Sequence, residues 1–148
     1  MKVIVTAVIQ RDDRRILIGQ RRRNDTSPLK WEFPGGKVES GETPEAALAR
    51  ELEEELSARL EKCVELGRVR HKYATMPEEL EIRFYAASIK EGTITPNEFE
   101  QIVWALPKEL GNYDFLAANS QLIAQLATGR LKPAEILSEL PHRSPKYR

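Results

Sequence analysis

"GGKVESGETPEAALARELEEEL", Gly35 to Leu56, holds two glycines, a threonine–proline pair and a run of glutamates. Thr43-Pro44 reads as an N-cap followed by proline at the first helical position, with acidic residues behind it. A helix over Pro44–Ser57 follows. At about 100° per residue, with Glu51 at 0°, Glu54 falls at about 300° and Glu55 at about 40°. Three carboxylates thus share one narrow face. Leu48, Leu52, Leu56 and Ala49 fall at about 60° to 160°, an adjacent apolar stripe. Glu53 points away. Arg50 lies four residues before Glu54, the spacing of a helical ion pair.

Carboxylates crowded at a partly buried edge are costly unless a cation joins them. Hard divalent ions such as Mg2+ and Mn2+ take oxygen ligands of this kind. The plain alternative is a solvated acidic face with Arg50 as its surface partner. "EFPGGK", read as a glycine-rich turn, shifts the balance. Glycines let the backbone approach an ion or a phosphate closely, and Lys37 adds a positive charge.

The rest of the chain is built for one domain. It has 148 residues, enough for a core without disulfides or a structural metal. Its 23 basic and 23 acidic residues cancel. No whole-chain field draws it to nucleic acid or membrane. The single cysteine, Cys63, excludes an internal disulfide and suggests a reducing cytoplasm. Its surroundings in sequence suggest a structural thiol. The apolar run in "KVIVTAVI" is too short for a membrane span and reads as a buried strand. "RILIGQ" follows after the polar "RDDR", so the two are expected to form a hairpin. "CVELGRVRHKY", "LEIRFYAASI" and "FEQIVWAL" are further strands. Pro107 starts a short helix or turn. "AANSQLIAQLA" is an amphipathic helix ending at Gly129. Helices between and after mixed strands predict an α+β fold or an α/β sandwich. His71 and His142 are not spaced for a metal.

Gly36, five residues, Glu42, seven residues, then "RELEEELSA" resembles the Nudix box, Gx5Ex7REUxEExGU with U aliphatic. Gly36, Glu42, Arg50, Glu51, Leu52, Glu54 and Glu55 all fit. Ser57 stands where the pattern has glycine, and Ala58 is a small final aliphatic. The wider stretch "WEFPGGKVESGETPEAALARELEEE" is similar to the MutT-like branch and its cytidine-nucleotide-hydrolysing relatives. The resemblance covers about residues 2–128. It implies a Nudix domain over 1–130, an α/β/α sandwich around a central mixed sheet. Residues 131–148 are then a short helix and a basic tail, not an independent domain.

The resemblance also implies an activity: hydrolysis of a nucleoside diphosphate linked to another moiety. Carried over, Glu51, Glu54 and Glu55 bind Mg2+ or Mn2+ with the Gly35 carbonyl. Glu42 is an outer or second-metal ligand, Arg50 orients the carboxylates and Lys37 touches the phosphates. Glu98 is the further metal-binding glutamate, with Glu100 as a rival and an exposed loop carboxylate as the plain alternative. Glu51 is the first candidate for the general base, or it is a ligand only. In the MutT-like branch water attacks the β-phosphorus, releasing nucleoside monophosphate and pyrophosphate.

Three residues bear on the base. Phe33 either stacks on it or belongs to the core. Asn119 sits at a helix start, where capping is the plain role. In MutT-like 8-oxoguanine nucleotide hydrolases an asparagine stands in the matching context. Its amide has the donor and acceptor that the O6 and N7–H edge requires. Arg21 lines the same pocket or is a strand-end surface charge, and Tyr73 and Met76 border the base or pack elsewhere. The leading substrate is 8-oxo-(d)GTP; CTP, dCTP and the 5′ triphosphate of RNA are the rivals. The three basic side chains of the tail "HRSPKYR" are too few to establish an RNA or lipid contact. A non-catalytic sensor would have lost a metal-binding glutamate, and all three are present.

Overall fold

β1 (Lys2–Ile9) is apolar on both faces, and this decides its place in the fold. In the computed structural model, which describes residues 1–139, β1 lies inside a four-stranded mixed sheet. Its neighbours are β4 (Gly35–Lys37), antiparallel, and β6 (Leu80–Ile89), parallel from Lys2–Leu80 to Ile9–Ala87. β5 (Leu60–His71) pairs antiparallel with β6 on the far edge. A second, antiparallel sheet holds β2 (Ile16–Gln20) between β3 (Trp31–Glu32) and β7 (Gln101–Ala105).

The expected β1–β2 hairpin does not form. One antiparallel bridge, Gln10 to Ile16, and the turn bond from the Arg11 N–H to the Arg15 carbonyl join their ends before they enter different sheets. Val5, Ala7 and Ile9 pack into one core cluster while Val8 packs into another. A strand covered on both faces belongs inside a sheet with neighbours on both edges.

α1 (Pro44–Leu56) covers the first face. The Thr43 hydroxyl accepts from the Ala46 N–H at 3.1 Å, as the threonine–proline pair predicts. Leu48, Leu52 and Leu56 are fully buried; truncating one to alanine costs about 2–5 kcal/mol. Ala47, not Ala49, completes the buried stripe. Ser57 ends the helix in the left-handed region, φ 57° and ψ 32°.

α2 (Ser120–Ala127) places Leu122 and Leu126 on the other face, with Val8, Ile16, Ile18 and Phe84. The result is an α/β/α sandwich around a mixed sheet. α3 (Pro133–Ser138) packs across β6, β5 and β1, and its Ala134 N–H donates to Gln10 Oε1 at 3.2 Å. His142 and the tail "HRSPKYR" lie outside the described residues.

The glycine-rich stretch is a strand, not a turn. Thr6 faces Gly35 and Val5 faces Gly36 across the β1–β4 ladder. A Cβ on Gly35 would run into the Val5 carbonyl, and one on Gly36 into the Glu51 carboxylate. Glycine is required because strand, strand and helix meet here with no room for a side chain.

Candidate active site

β4 brings the start of the glycine segment against α1. The Gly35 N–H donates to Glu55 Oε1 at 2.9 Å. Beside them opens a cleft of about 660 Å3, lined by Gly35, Gly36, Lys37, Glu55, Glu98 and Asn119, and also by Arg21, Phe33, Tyr73 and Met76. Seven of the residues expected at the site, from Arg21 to Asn119, therefore meet in one concavity.

Burial separates the three glutamates of the helix. Glu55 is only 7% exposed. Burial pushes its carboxyl up to about 9; the Gly35 N–H opposes this, and the charges of Glu32, Glu51 and Glu98 add to it. Glu51 is raised as well, by burial first, with Arg50 opposing and Glu54 and Glu98 adding. Its carboxylate lies against Gly36, which itself lines the cleft. The Glu54 side chain is 52% exposed.

Arg50 organises what surrounds them. Its guanidinium donates to both Glu42 oxygens, at 2.7 and 3.0 Å, to Glu51 Oε1 at 2.8 Å and to Glu54 Oε1 at 3.4 Å. A further bond runs to the Lys37 carbonyl at 2.9 Å. The expected convergence of three carboxylates is not present. Among the described residues no three acidic, His or Cys side chains are grouped to hold an ion. Like charges repel, and Glu51 and Glu54 turn to the nearest cation, Arg50. The donor set still fits a hard divalent ion: it offers several carboxylate oxygens, and burial and neighbouring carboxylates disfavour the charged forms of Glu51 and Glu55, a cost that a bound cation relieves.

The rival loop glutamates part company. Glu98 lines the cleft, whereas Glu100 pairs with Arg23 at 3.3 Å. Phe33 is 2% exposed and packs on Phe115, ring centroids 5.4 Å apart. Arg21 is tied down by Thr26, Asp25 and Glu32. Asn119 is 5% exposed and stands at the start of α2, yet its side chain makes no capping bond.

Two lining residues escaped the sequence reading. Glu32 sits between the buried Trp31 and Phe33 and bonds Arg21 at 3.0 Å; burial raises its carboxyl. A charge inside "WEF" was the available signal. Thr6 Oγ1 is a buried hydroxyl without a hydrogen-bond partner among the described residues. No sequence signal marks it.

Cys63 is half-buried and free, and burial pushes its thiol up to about 11, as expected for a structural thiol. Among the described residues no helix is long and apolar enough to cross a membrane.

Comparison with known proteins bears on the whole arrangement. The CTP pyrophosphohydrolase of Escherichia coli K12 is 32% identical over 133 residues, 89% of this chain and 96% of that protein. The 8-oxo-dGTP diphosphatase of the same organism is 30% identical over 123 residues, 83% and 94%. The crystal structure of the MutT NUDIX hydrolase from Burkholderia pseudomallei superimposes with a TM-score of 0.73 at 32% identity, covering 84% of this chain and 96% of that one. The NUDIX domain model matches residues 1–126. With the domain model matching most of the chain and the fold shared across the sheet, the chain belongs to the Nudix hydrolase family.

Proposed function

We propose that the protein hydrolyses 8-oxo-dGTP or 8-oxo-GTP to the monophosphate and pyrophosphate, with Mg2+ or Mn2+, and so clears oxidised nucleotides in the cytoplasm. One observation carries the choice of base. The Asn119 amide is buried at the cleft without the capping bond its position would ordinarily give it. A carboxamide offers a donor and an acceptor, the pair that the O6 and N7–H edge of 8-oxoguanine requires. Arg21 and Phe33 shape the same pocket.

Glu51, Glu54, Glu55 and Glu98, with the Gly35 carbonyl, are the oxygen donors that would hold the cation. A bound divalent cation supplies neutralisation of the polyphosphate and acidification of a water. Lys37 contributes a positive charge on the phosphate side of the cleft. Arg50 keeps Glu51 and Glu54 oriented, and Glu42 keeps Arg50 oriented. Glu51 accepts the proton of the attacking water. Burial raises its carboxyl above a free one, which makes its carboxylate the stronger base. Water oxygen joins the β-phosphorus, the bond from that phosphorus to the bridging oxygen breaks, and the monophosphate leaves.

A second reading has support of its own: the relative at 32% identity is a CTP pyrophosphohydrolase. A nucleotide panel with Mg2+, scored by kcat/KM and including CTP, dCTP and a triphosphorylated RNA, separates the two. Preference for 8-oxo-(d)GTP is expected; preference for cytidine nucleotides overturns the role given to Asn119. Glu51→Gln, with folding checked, abolishes turnover while binding persists, and unchanged turnover contradicts the base.

A further inference from the structure

Ser57 occupies the place where the Nudix box has glycine, and its backbone is left-handed, the conformation glycine adopts most easily. What serine adds there is a hydroxyl. That oxygen accepts from Asn97 Nδ2 at 2.9 Å and lies 3.2 Å from Thr95 Oγ1, a hydroxyl that also lies 2.7 Å from its acceptor Asn97 Oδ1. Both partners belong to the loop that leads to Glu98.

The rest of this loop docks on the same helix end. The Thr95 N–H donates to the Leu56 carbonyl at 2.9 Å, and the Asn97 N–H to the Glu55 carbonyl at 3.0 Å. Asn97 Nδ2 also reaches the Glu54 carbonyl at 3.1 Å. These are carbonyls that the last turn of a helix leaves open. Arg22 closes the loop from outside, donating to the Asn97 carbonyl at 2.6 Å. On the other side of Glu98, Phe99 is 4% exposed and fills the space above Gly19, where any Cβ would come within 2.5 Å of its ring. Glu98 is thus suspended between two fixed residues, on the cleft wall.

We propose that Ser57 is a positioning residue: its hydroxyl locks the Thr95–Asn97 segment onto the end of α1 and thereby holds Glu98 at the cleft with Glu55. This rests on the reading of Glu98 as a cation ligand. The helix that carries three of the box glutamates then also sets the place of a carboxylate more than forty residues further along the chain. A glycine at position 57 would serve the helix end equally well and leave the loop held by its backbone bonds, by Asn97 Nδ2 on the Glu54 carbonyl and by Arg22.

The test is Mn2+ titration of the nucleotide-free full chain, together with amide exchange at Thr95 and Asn97 and the melting temperature. Ser57→Gly relieves the left-handed backbone, so its Tm is expected to stay level or rise. Exchange at Thr95 and Asn97 quickens, and Mn2+ binds about tenfold more weakly. Thr95→Val, which leaves the backbone at 57 untouched, moves affinity the same way by less. Glu98→Gln weakens Mn2+ binding similarly, and the double variant Ser57→Gly/Glu98→Gln is no weaker than Glu98→Gln alone. Wild-type affinity in Ser57→Gly, with Glu98→Gln impaired, overturns the role of Ser57. Fully additive losses in the double variant overturn it too. Wild-type affinity in Glu98→Gln overturns the reading of Glu98, and the proposal with it.

Discussion

Arg50 grips Glu42 through two parallel bonds, Nε to Oε2 at 2.7 Å and a terminal nitrogen to Oε1 at 3.0 Å. The hydrogen bonds from Arg50 and from the Glu39 N–H hold the Glu42 carboxyl down at about 2. The same guanidinium reaches Glu51 and the Lys37 carbonyl, so one side chain joins the loop before α1, β4 and the helix. Lysine has the charge but not the planar fork. Arg50→Lys is therefore expected to lower kcat/KM about 10- to 100-fold, with a small change in Tm. Steady-state kinetics beside a thermal melt checks this, and near-normal kcat/KM would show that the fork is dispensable.

Glu55 makes stability depend on pH. Its folded-state carboxyl is raised to about 9 from an ordinary value of 4.5. A raised value means that the folded state keeps a proton the unfolded state releases. The stability this provides is complete below about 4.5 and is lost as pH rises through about 9. In EDTA, Tm should fall across that window. Glu55→Gln, which keeps an acceptor for the Gly35 N–H, should flatten the fall and abolish turnover. Mn2+ should restore the wild-type Tm most at the alkaline end. Scanning fluorimetry across pH decides it, and parallel profiles for wild type and variant would be incompatible with this role.

Asn119 gives a cleaner separation of folding from binding. A helix cap removed by mutation costs about 0.5–2 kcal/mol, but no side-chain capping bond exists here to lose. Asn119→Ala should leave Tm nearly unchanged and raise KM for the preferred nucleotide about tenfold or more, as expected where a site's polar groups are left unpaired. Asn119→Asp should move preference toward cytidine nucleotides, whose amino group suits an acceptor. A drop in Tm with normal KM would make Asn119 a structural residue.

Thr6 lies opposite Gly35 with a buried hydroxyl that has no partner among the described residues. Valine keeps the shape and the β-branched stiffness without the hydroxyl. Thr6→Val should stabilise the free protein by about 1 kcal/mol, because an unpaired polar group leaves the interior. KM should rise, since Thr6 lines the cleft. Melting curves and kinetics on one preparation test both halves, and a less stable variant would mean that the oxygen is already satisfied.

Much of this molecule was legible along the chain. Thr43-Pro44 announced the start of α1, the leucine spacing its buried face, and the order of glycine, arginine and glutamates the family. These are local matters: capping chemistry, a period of 3.6 residues, and a pattern confined to 23 positions. Periodicity could place Glu51, Glu54 and Glu55 on one face. It could not say that Glu55 would be buried against Gly35 while Glu54 stayed in water, because desolvation depends on what packs opposite.

Tertiary structure decided the rest for the same reason. β1 left its expected hairpin partner for β6, more than seventy residues away, because both of its faces needed cover. Gly35 and Gly36 became a strand because two neighbours approach too closely for any Cβ. Glu98 was separated from Glu100, Asn119 kept its amide free, and Glu32 and Thr6 came to the cleft through pairings between distant segments. The sequence by itself determined the chemical groups and the helix that carries them; which groups lose water, and which find partners, was set only when strands far apart in the chain closed around them.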